Sequence, residues 1–345
     1  MGGLIPNLEQ NHKYLVEQIH SWVTDDSLKN LLVDHYSLSW FERNPHQFTT
    51  EFNTFTVQPP YSLARDCNYR QEEIVRRFLS SLSEFNRLVG IDDKRMKRLI
   101  NPETSFQTYF EIRILSLVAK SGFSVKPDHS TKKGRDVEAL IKSNDIETLV
   151  ECKVLGLSDT SKIHYEFSEQ YNQFVTDLNL DKSVNVCGEI KIKSDFGKET
   201  WCLVSQATNQ AVSEKRGVKF ENEEVKLLLF PGPTQAHPNL QTSKDYPETE
   251  RIKSTFKKTM KKLKGTDGCI LFCCLPGDVG QSSALDNAKE LLKSGKFKKI
   301  HQVIFVDPKH TFEIEYLEIF NLINPSYTGP ALSWNKDKSA FNLSN

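Results

Sequence analysis

Two runs of alternating residues, Arg135 to Ile141 and Thr148 to Val154, flank Ser143-Asn144-Asp145 and predict a β-hairpin. Side chains alternate faces along a strand, so Asp136, Glu138 and Leu140 share one face of the first, and Leu149, Glu151 and Lys153 one face of the second. If Asn144-Asp145 is a two-residue turn, Ser143 pairs with Ile146, Glu138 lies opposite Glu151, and Asp136 lies opposite Lys153. A register shifted by two residues instead sets Asp136 opposite Glu151. Both bring the polar groups to one face and leave Val137, Ala139, Val150, Cys152 and Val154 for the other. A slip of one residue scatters the set, so the chemistry depends on the register.

The tripeptide Glu151-Cys152-Lys153 carries little information alone, because Glu-x-Lys recurs at Glu189-Ile190-Lys191 and Glu224-Val225-Lys226. The copy at Glu189 has no preceding strand with an aspartate at hairpin distance. The copy at Glu224 stands beside Glu221 and Glu223 at a loop-to-strand entry. A helix from Pro102-Glu103-Thr104 to Ser121-Gly122 precedes the hairpin. At helical spacing Leu115 and Val118 fall within about 40° of Glu111, which places that carboxylate on the core-facing stripe, with Arg113 and Lys120 opposite. A buried carboxylate must be compensated. An ion pair with Arg135 or Lys153 is the structural alternative to a role in a site.

The order Glu111…Asp136…Glu151-x-Lys153 resembles the PD-(D/E)xK nuclease superfamily, closely over roughly 50 residues and loosely over about 150 more. Pro127-Asp128 is a literal Pro-Asp, but the loop-like run His129 to Gly134 follows it, so Asp136 is the better aspartate. The resemblance implies an α/β fold, with a restriction-endonuclease-like mixed β-sheet core flanked by helices behind an N-terminal mainly helical region. It implies a metal-dependent nuclease acting on phosphodiesters, with DNA as the expected substrate. Asp136, Glu151 and the Cys152 backbone carbonyl are then the ligands of Mg²⁺, for which Mn²⁺ can substitute. Lys153 activates the attacking water, and Glu111 holds a second metal or a metal-bound water. Gln170 and Gln173, on a helix Ser168–Leu180, are accessory candidates. The alternative is a nuclease-fold protein that binds nucleic acid or scaffolds a complex without cutting.

Lys+Arg and Asp+Glu both number 45, so no global field attracts nucleic acid and affinity must come from local patches. Two are visible: Lys132, Lys133 and Arg135 beside Asp136, and a basic helix Thr249–Lys264. In that helix Ile252, Phe256, Met260 and Leu263 form the apolar stripe, and Lys257 and Lys261 stand among the solvated cations. Seven cysteines without a CxxC pair argue against a zinc ribbon or a disulfide framework, and Cys269, Cys273 and Cys274 read as core thiols. No apolar run reaches 18 residues, so the expectation is a cytoplasmic protein away from membranes, as a homodimer or with partner subunits. Apolar spacing predicts helices over 8–24, 27–41 and 71–90, and hence a helical region 1–97. A nuclease-like domain 98–320 follows, with a strand and loop insertion near 183–248 and a peripheral tail 321–345. Beyond the basic helix a strand Cys269–Leu275, a helix Ala284–Ser294 and a strand Gln302–Val306 are expected.

Overall fold

The computed structural model describes residues 8–43, 69–101, 104–130, 136–143, 146–155, 185–192, 198–232, 238–242, 248–275, 281–310 and 313–344, together with Phe167, Gln170, Tyr171 and Phe174. The chain forms two compact units, one of residues 1–156 and 248–345 and one of residues 157–247.

The first unit is mixed α/β. Helices α1 (Leu8–Trp22), α2 (Asp26–His35), α3 (Leu38–Arg43), α4 (Tyr69–Leu88), α5 (Asp93–Ile100) and α6 (Ser105–Lys120) lead into strands β1 (Ser124–Ser130), β2 (Asp136–Ser143) and β3 (Ile146–Val154). α2 and α5 start on side-chain caps, where Asp25 and Asp92 accept from the backbone N–H of Leu28 and Arg95. Strand β1 was not anticipated. It carries a mid-strand Pro127 and alternates only weakly in burial, which an edge strand tolerates.

β2 and β3 pair antiparallel from Ser143↔Ile146 to Ala139↔Val150, the first of the two registers considered. β3 then runs parallel to β8 (Cys269–Cys274), β8 parallel to β9 (Ile300–His310), and β9 antiparallel to β10 (Glu313–Ile323). The sheet order is β1-β2-β3-β8-β9-β10. Every residue of β8 is buried, as a central strand covered on both faces requires.

One face, carrying Ala139, Ile141, Val150, Cys152, Ile270, Phe272, Cys274, Ile304 and Val306, shares a single core with α1–α6. The expected division at 97/98 therefore falls inside a continuous hydrophobic core. α6 is buried nearly all round rather than along one stripe, because it is enclosed between this sheet face and its helical neighbours. On the other face Leu271, Cys273, Val303 and Phe305 pack beneath α8 (Glu248–Lys262) and α9 (Gln281–Lys293). Val137, expected on one face with Ala139, Val150 and Cys152, belongs instead to a small cluster with Leu140, Leu149, Leu263 and Cys269. The tail is not peripheral. β11 (Ala331–Asn335) and β12 (Ala340–Ser344) form a hairpin that buries Leu332 and Phe341 in the main core, and Phe341 N–H donates to Ser121 Oγ.

In the second unit, β5 (Val218–Glu221), β6 (Val225–Gly232), β4 (Asn185–Ile192) and β7 (Asn239–Thr242) form a sheet in the order β5-β6-β4-β7. Helix α7 (Lys198–Glu214) packs Val204, Ala211 and Val212 against Val186, Ile190, Leu227 and Leu229. That helix replaces part of a stretch expected to be rich in strands. Gly188 is required in β4, since its φ is +128° and a Cβ there would collide with the Leu228 carbonyl. Both extra Glu-x-Lys copies lie in this unit; Glu189 is exposed on β4, and Glu224 precedes β6.

Candidate active site

The β2–β3 ladder stops at Ala139↔Val150, and the gap beyond it organises the site. Leu155 N–H donates to Cys274 O on the β8 side, so the backbone groups of Cys152 and Val154 point the other way, towards the vacated edge. Gln107 of α6 satisfies them. Its Nε2 donates to Cys152 O at 2.8 Å, and its Oε1 accepts from Val154 N–H at 2.8 Å. The same Nε2 donates to Glu111 Oε1 at 2.9 Å. One amide thus ties helix, strand edge and carboxylate together.

Glu111 is fully buried and is gripped by Arg98 of α5, whose Nη2 donates to Oε1 at 2.8 Å and to Oε2 at 2.7 Å. The helix carboxylate therefore has a structural partner. It is an arginine contributed by the N-terminal helices, where the sequence suggests Arg135, which lies outside the described residues, or Lys153. Burial first, then the charge of Glu138, pushes its pKa up to about 7, with Arg98 and Gln107 opposing. A raised folded-state pKa means that the folded protein takes up the proton more readily than the unfolded chain. Its contribution to stability is full below about 4.5 and is lost as pH rises through about 7. We expect the unfolding free energy of the wild type relative to Glu111→Gln to fall over that window, by on the order of 3 kcal/mol, in denaturant titrations at stepped pH. A flat difference would show that Glu111 does not titrate there.

On the hairpin's polar face, Glu151 and Glu138 are both buried. Lys153 Nζ lies 2.7 Å from Glu151 Oε1, and it donates to Glu138 Oε1 at 3.2 Å and to Cys152 O at 3.0 Å. A second lysine, Lys262 of α8, reaches in to 2.6 Å from Glu151 Oε1 and 3.4 Å from Glu138 Oε1. Both ammonium groups converge on Oε1, while the buried Oε2 has no hydrogen-bond partner. Burial and the neighbouring Glu138 raise the Glu151 pKa, while Lys153 and Lys262 oppose this. Burial disfavours charge on Lys153, but Glu151 and Glu138 outweigh it, and its pKa is raised. Lys153 is therefore a firmly held cation.

Asp136 begins β2 opposite Ser130, and its side chain lies outside the described residues, as do Lys132, Lys133, Arg135 and Gln173. Asp128 lies before the β2–β3 hairpin, as expected, but within strand β1, at a φ of +49°. It pairs at 3.0 Å with Arg95, itself 1% exposed and stacked over Phe85. Asp128 is thus part of the scaffold joining α5 to β1. Gln170 is an exposed helical residue of the second unit, and Lys257 and Lys261 are exposed on α8. Lys262, grouped in sequence with the solvated cations of that helix, points into the site instead. The Cys152 thiol is wholly buried and its pKa is raised, chiefly by that burial, so it is inert.

Four site residues were not singled out from sequence: Arg98, Gln107, Glu138 and Lys262. Glu138 was legible, standing opposite Glu151 in the predicted register. Gln107 lies one turn before Glu111 on the same helix face, a usable signal. Arg98 comes from the helix just before α6 and Lys262 lies 124 residues beyond Glu138, and neither carries a local mark. Among the described residues, no group of three or more His, Cys, Asp or Glu is arranged to hold a metal ion, and no helix is long and apolar enough to cross a membrane. Compared with protein-family models, curated proteins and solved structures, the chain has no match.

Proposed function

We propose that the chain is a divalent-metal-dependent nuclease of the PD-(D/E)xK type, with a restriction-endonuclease-like core built on β1–β3, α8 and β8. The observation that carries this reading is the pair of buried carboxylates, Glu138 and Glu151, gathered beside Lys153, with Glu151 Oε2 buried and without a donor. Such a donor set fits a hard cation, because Mg²⁺ takes one or two carboxylates and keeps several waters. Glu138 and Glu151 would hold it, joined by Asp136 from the start of β2. Bound there, the cation would acidify a water and offset charge on the phosphate.

Two of the ligands implied by the resemblance are reassigned. The oxygens of Glu111 are engaged by Arg98 and Gln107, and the Cys152 carbonyl by Gln107 and Lys153. Glu111 and Gln107 accordingly position β3, and Lys153 is the group that meets the attacking water and the phosphate oxygens. Exposed Lys257 and Lys261 on α8 supply backbone contact.

One observation favours the second reading, a nucleic-acid-binding or scaffolding module. The formal charges of Glu111, Glu138 and Glu151 are matched within the site by Arg98, Lys153 and Lys262. A network closed on itself is stable without an ion. Incubating the protein with single- and double-stranded DNA and with RNA, in Mg²⁺ and in chelator, separates the two: cutting in Mg²⁺ alone supports the nuclease, and binding without cutting supports the module. Substituting Lys257 and Lys261 together by alanine should weaken binding evenly across sequences and reduce the slope of log affinity against log salt by up to about 2. An unchanged slope would remove α8 from the interface.

A further inference from the structure

Two ammonium groups converge on one carboxylate oxygen, an arrangement that like-charge repulsion opposes unless something else is gained. Lys153 and Lys262 lie 2.7 and 2.6 Å from Glu151 Oε1, and both also reach Glu138 Oε1. They are held unequally. Lys153 has a third partner in its own strand, the Cys152 carbonyl at 3.0 Å, and its side chain is 21% exposed. Lys262 has no hydrogen bond to that carbonyl, donates to Glu138 only at 3.4 Å, and is 32% exposed. It is also the last residue of α8, with a long side chain that reaches the site from the end of the helix.

Resting on the hydrolase reading of this site, we propose that Lys262 holds the place of the divalent cation between Glu138 and Glu151. It is the group that a cation displaces, while Lys153 stays. The reason is charge balance. Two buried carboxylates need about two positive charges, and Lys153 plus Lys262 supply them; a divalent ion with both lysines in place would leave an excess of two, which the departure of Lys262 halves and a charge on Asp136 would cancel. Lys153 remains because strand β3 holds it between its partners, whereas the Lys262 side chain, held only by its two carboxylates, can swing out to solvent by rotation about its own bonds while Leu263 stays packed. Released, its ammonium group joins Lys257, Lys258 and Lys261 on the same helix, where substrate phosphate would be met. Lys262 is thus a positioning residue that couples cation loading to phosphate binding.

The test uses the full chain and Mn²⁺. Calorimetric titration of wild type, Lys262→Met and Lys262→Arg should show Mn²⁺ binding roughly tenfold or more tighter in Lys262→Met, since a competing charge is gone, and no tighter in Lys262→Arg. A second measurement needs no variant. Lysine acylation of the wild type, read by mass spectrometry, should rise several-fold at Lys262 when Mn²⁺ is added and stay unchanged at Lys153. Equal Mn²⁺ affinity in wild type and Lys262→Met would overturn the proposal while leaving the nuclease reading intact. Unchanged acylation of Lys262 in protein that binds Mn²⁺ would overturn it in the same way, even if Lys262→Met did not fold. Failure of all three proteins to bind Mn²⁺ would overturn both.

Discussion

Glu151→Gln is expected to abolish Mg²⁺-dependent cleavage while leaving the protein folded. The substitution keeps the shape of the side chain and removes one charge from a wholly buried carboxylate that burial and Glu138 already make reluctant to ionise. Lys153 and Lys262 retain Glu138 as a partner, so neither ammonium is left without a counter-charge. An amide is a poor ligand for a hard cation, and the stabilisation of developing phosphate charge goes with it. We expect a loss of about 10²–10³-fold or more in kcat, the range seen when one preorganised electrostatic contact is removed from an active site. The melting temperature should move by only a few degrees. A large fall in melting temperature would instead make Glu151 chiefly structural.

Arg98→Ala should produce the largest loss of stability in the site. It strips two charge-assisted hydrogen bonds from a carboxylate with no exposure to water, leaving Gln107 as its remaining donor. Removing one partner of a buried pair typically costs about 3–5 kcal/mol, more than the pair contributes over an apolar replacement. The double variant Arg98→Ala with Glu111→Gln should recover part of that, because the uncompensated charge is gone. Denaturant midpoints at one pH measure both. A loss below about 1 kcal/mol for Arg98→Ala would mean that water or another cation replaces the guanidinium.

The hairpin could be read from sequence because its determinants are local. A two-residue turn and strict alternation set the register from Ser143↔Ile146 to Ala139↔Val150, and Glu138 and Glu151 stand just beyond its last pair, where both meet Lys153. The burial of Glu111 also followed from helical spacing, but not its partner. Arg98 comes from α5, and nothing in the spacing around residue 98 marks it as a site residue. Lys262 was hidden among like residues in a helix where most lysines face water, and only the packing of Ile252 and Phe256 on the sheet decides which one turns inward. Helix α7 was missed because its buried side is built from small and polar side chains such as Thr200, Ala207 and Thr208, which give a weak periodic signal. The terminal hairpin was missed because Leu332 and Phe341 are its only fully buried large residues, too few for a pattern.

The most direct measurement is cleavage of plasmid and of single-stranded DNA by the wild type and by Asp136→Ala, in Mg²⁺ and in chelator. Asp136 is the aspartate of the motif on which the assignment rests, and it stands at the start of β2, outside the paired part of the β2–β3 ladder. The account predicts Mg²⁺-dependent cutting by the wild type, and a loss of orders of magnitude in a folded Asp136→Ala protein. Full activity in Asp136→Ala, or a wild type that binds no divalent ion and cuts neither DNA nor RNA, would contradict it.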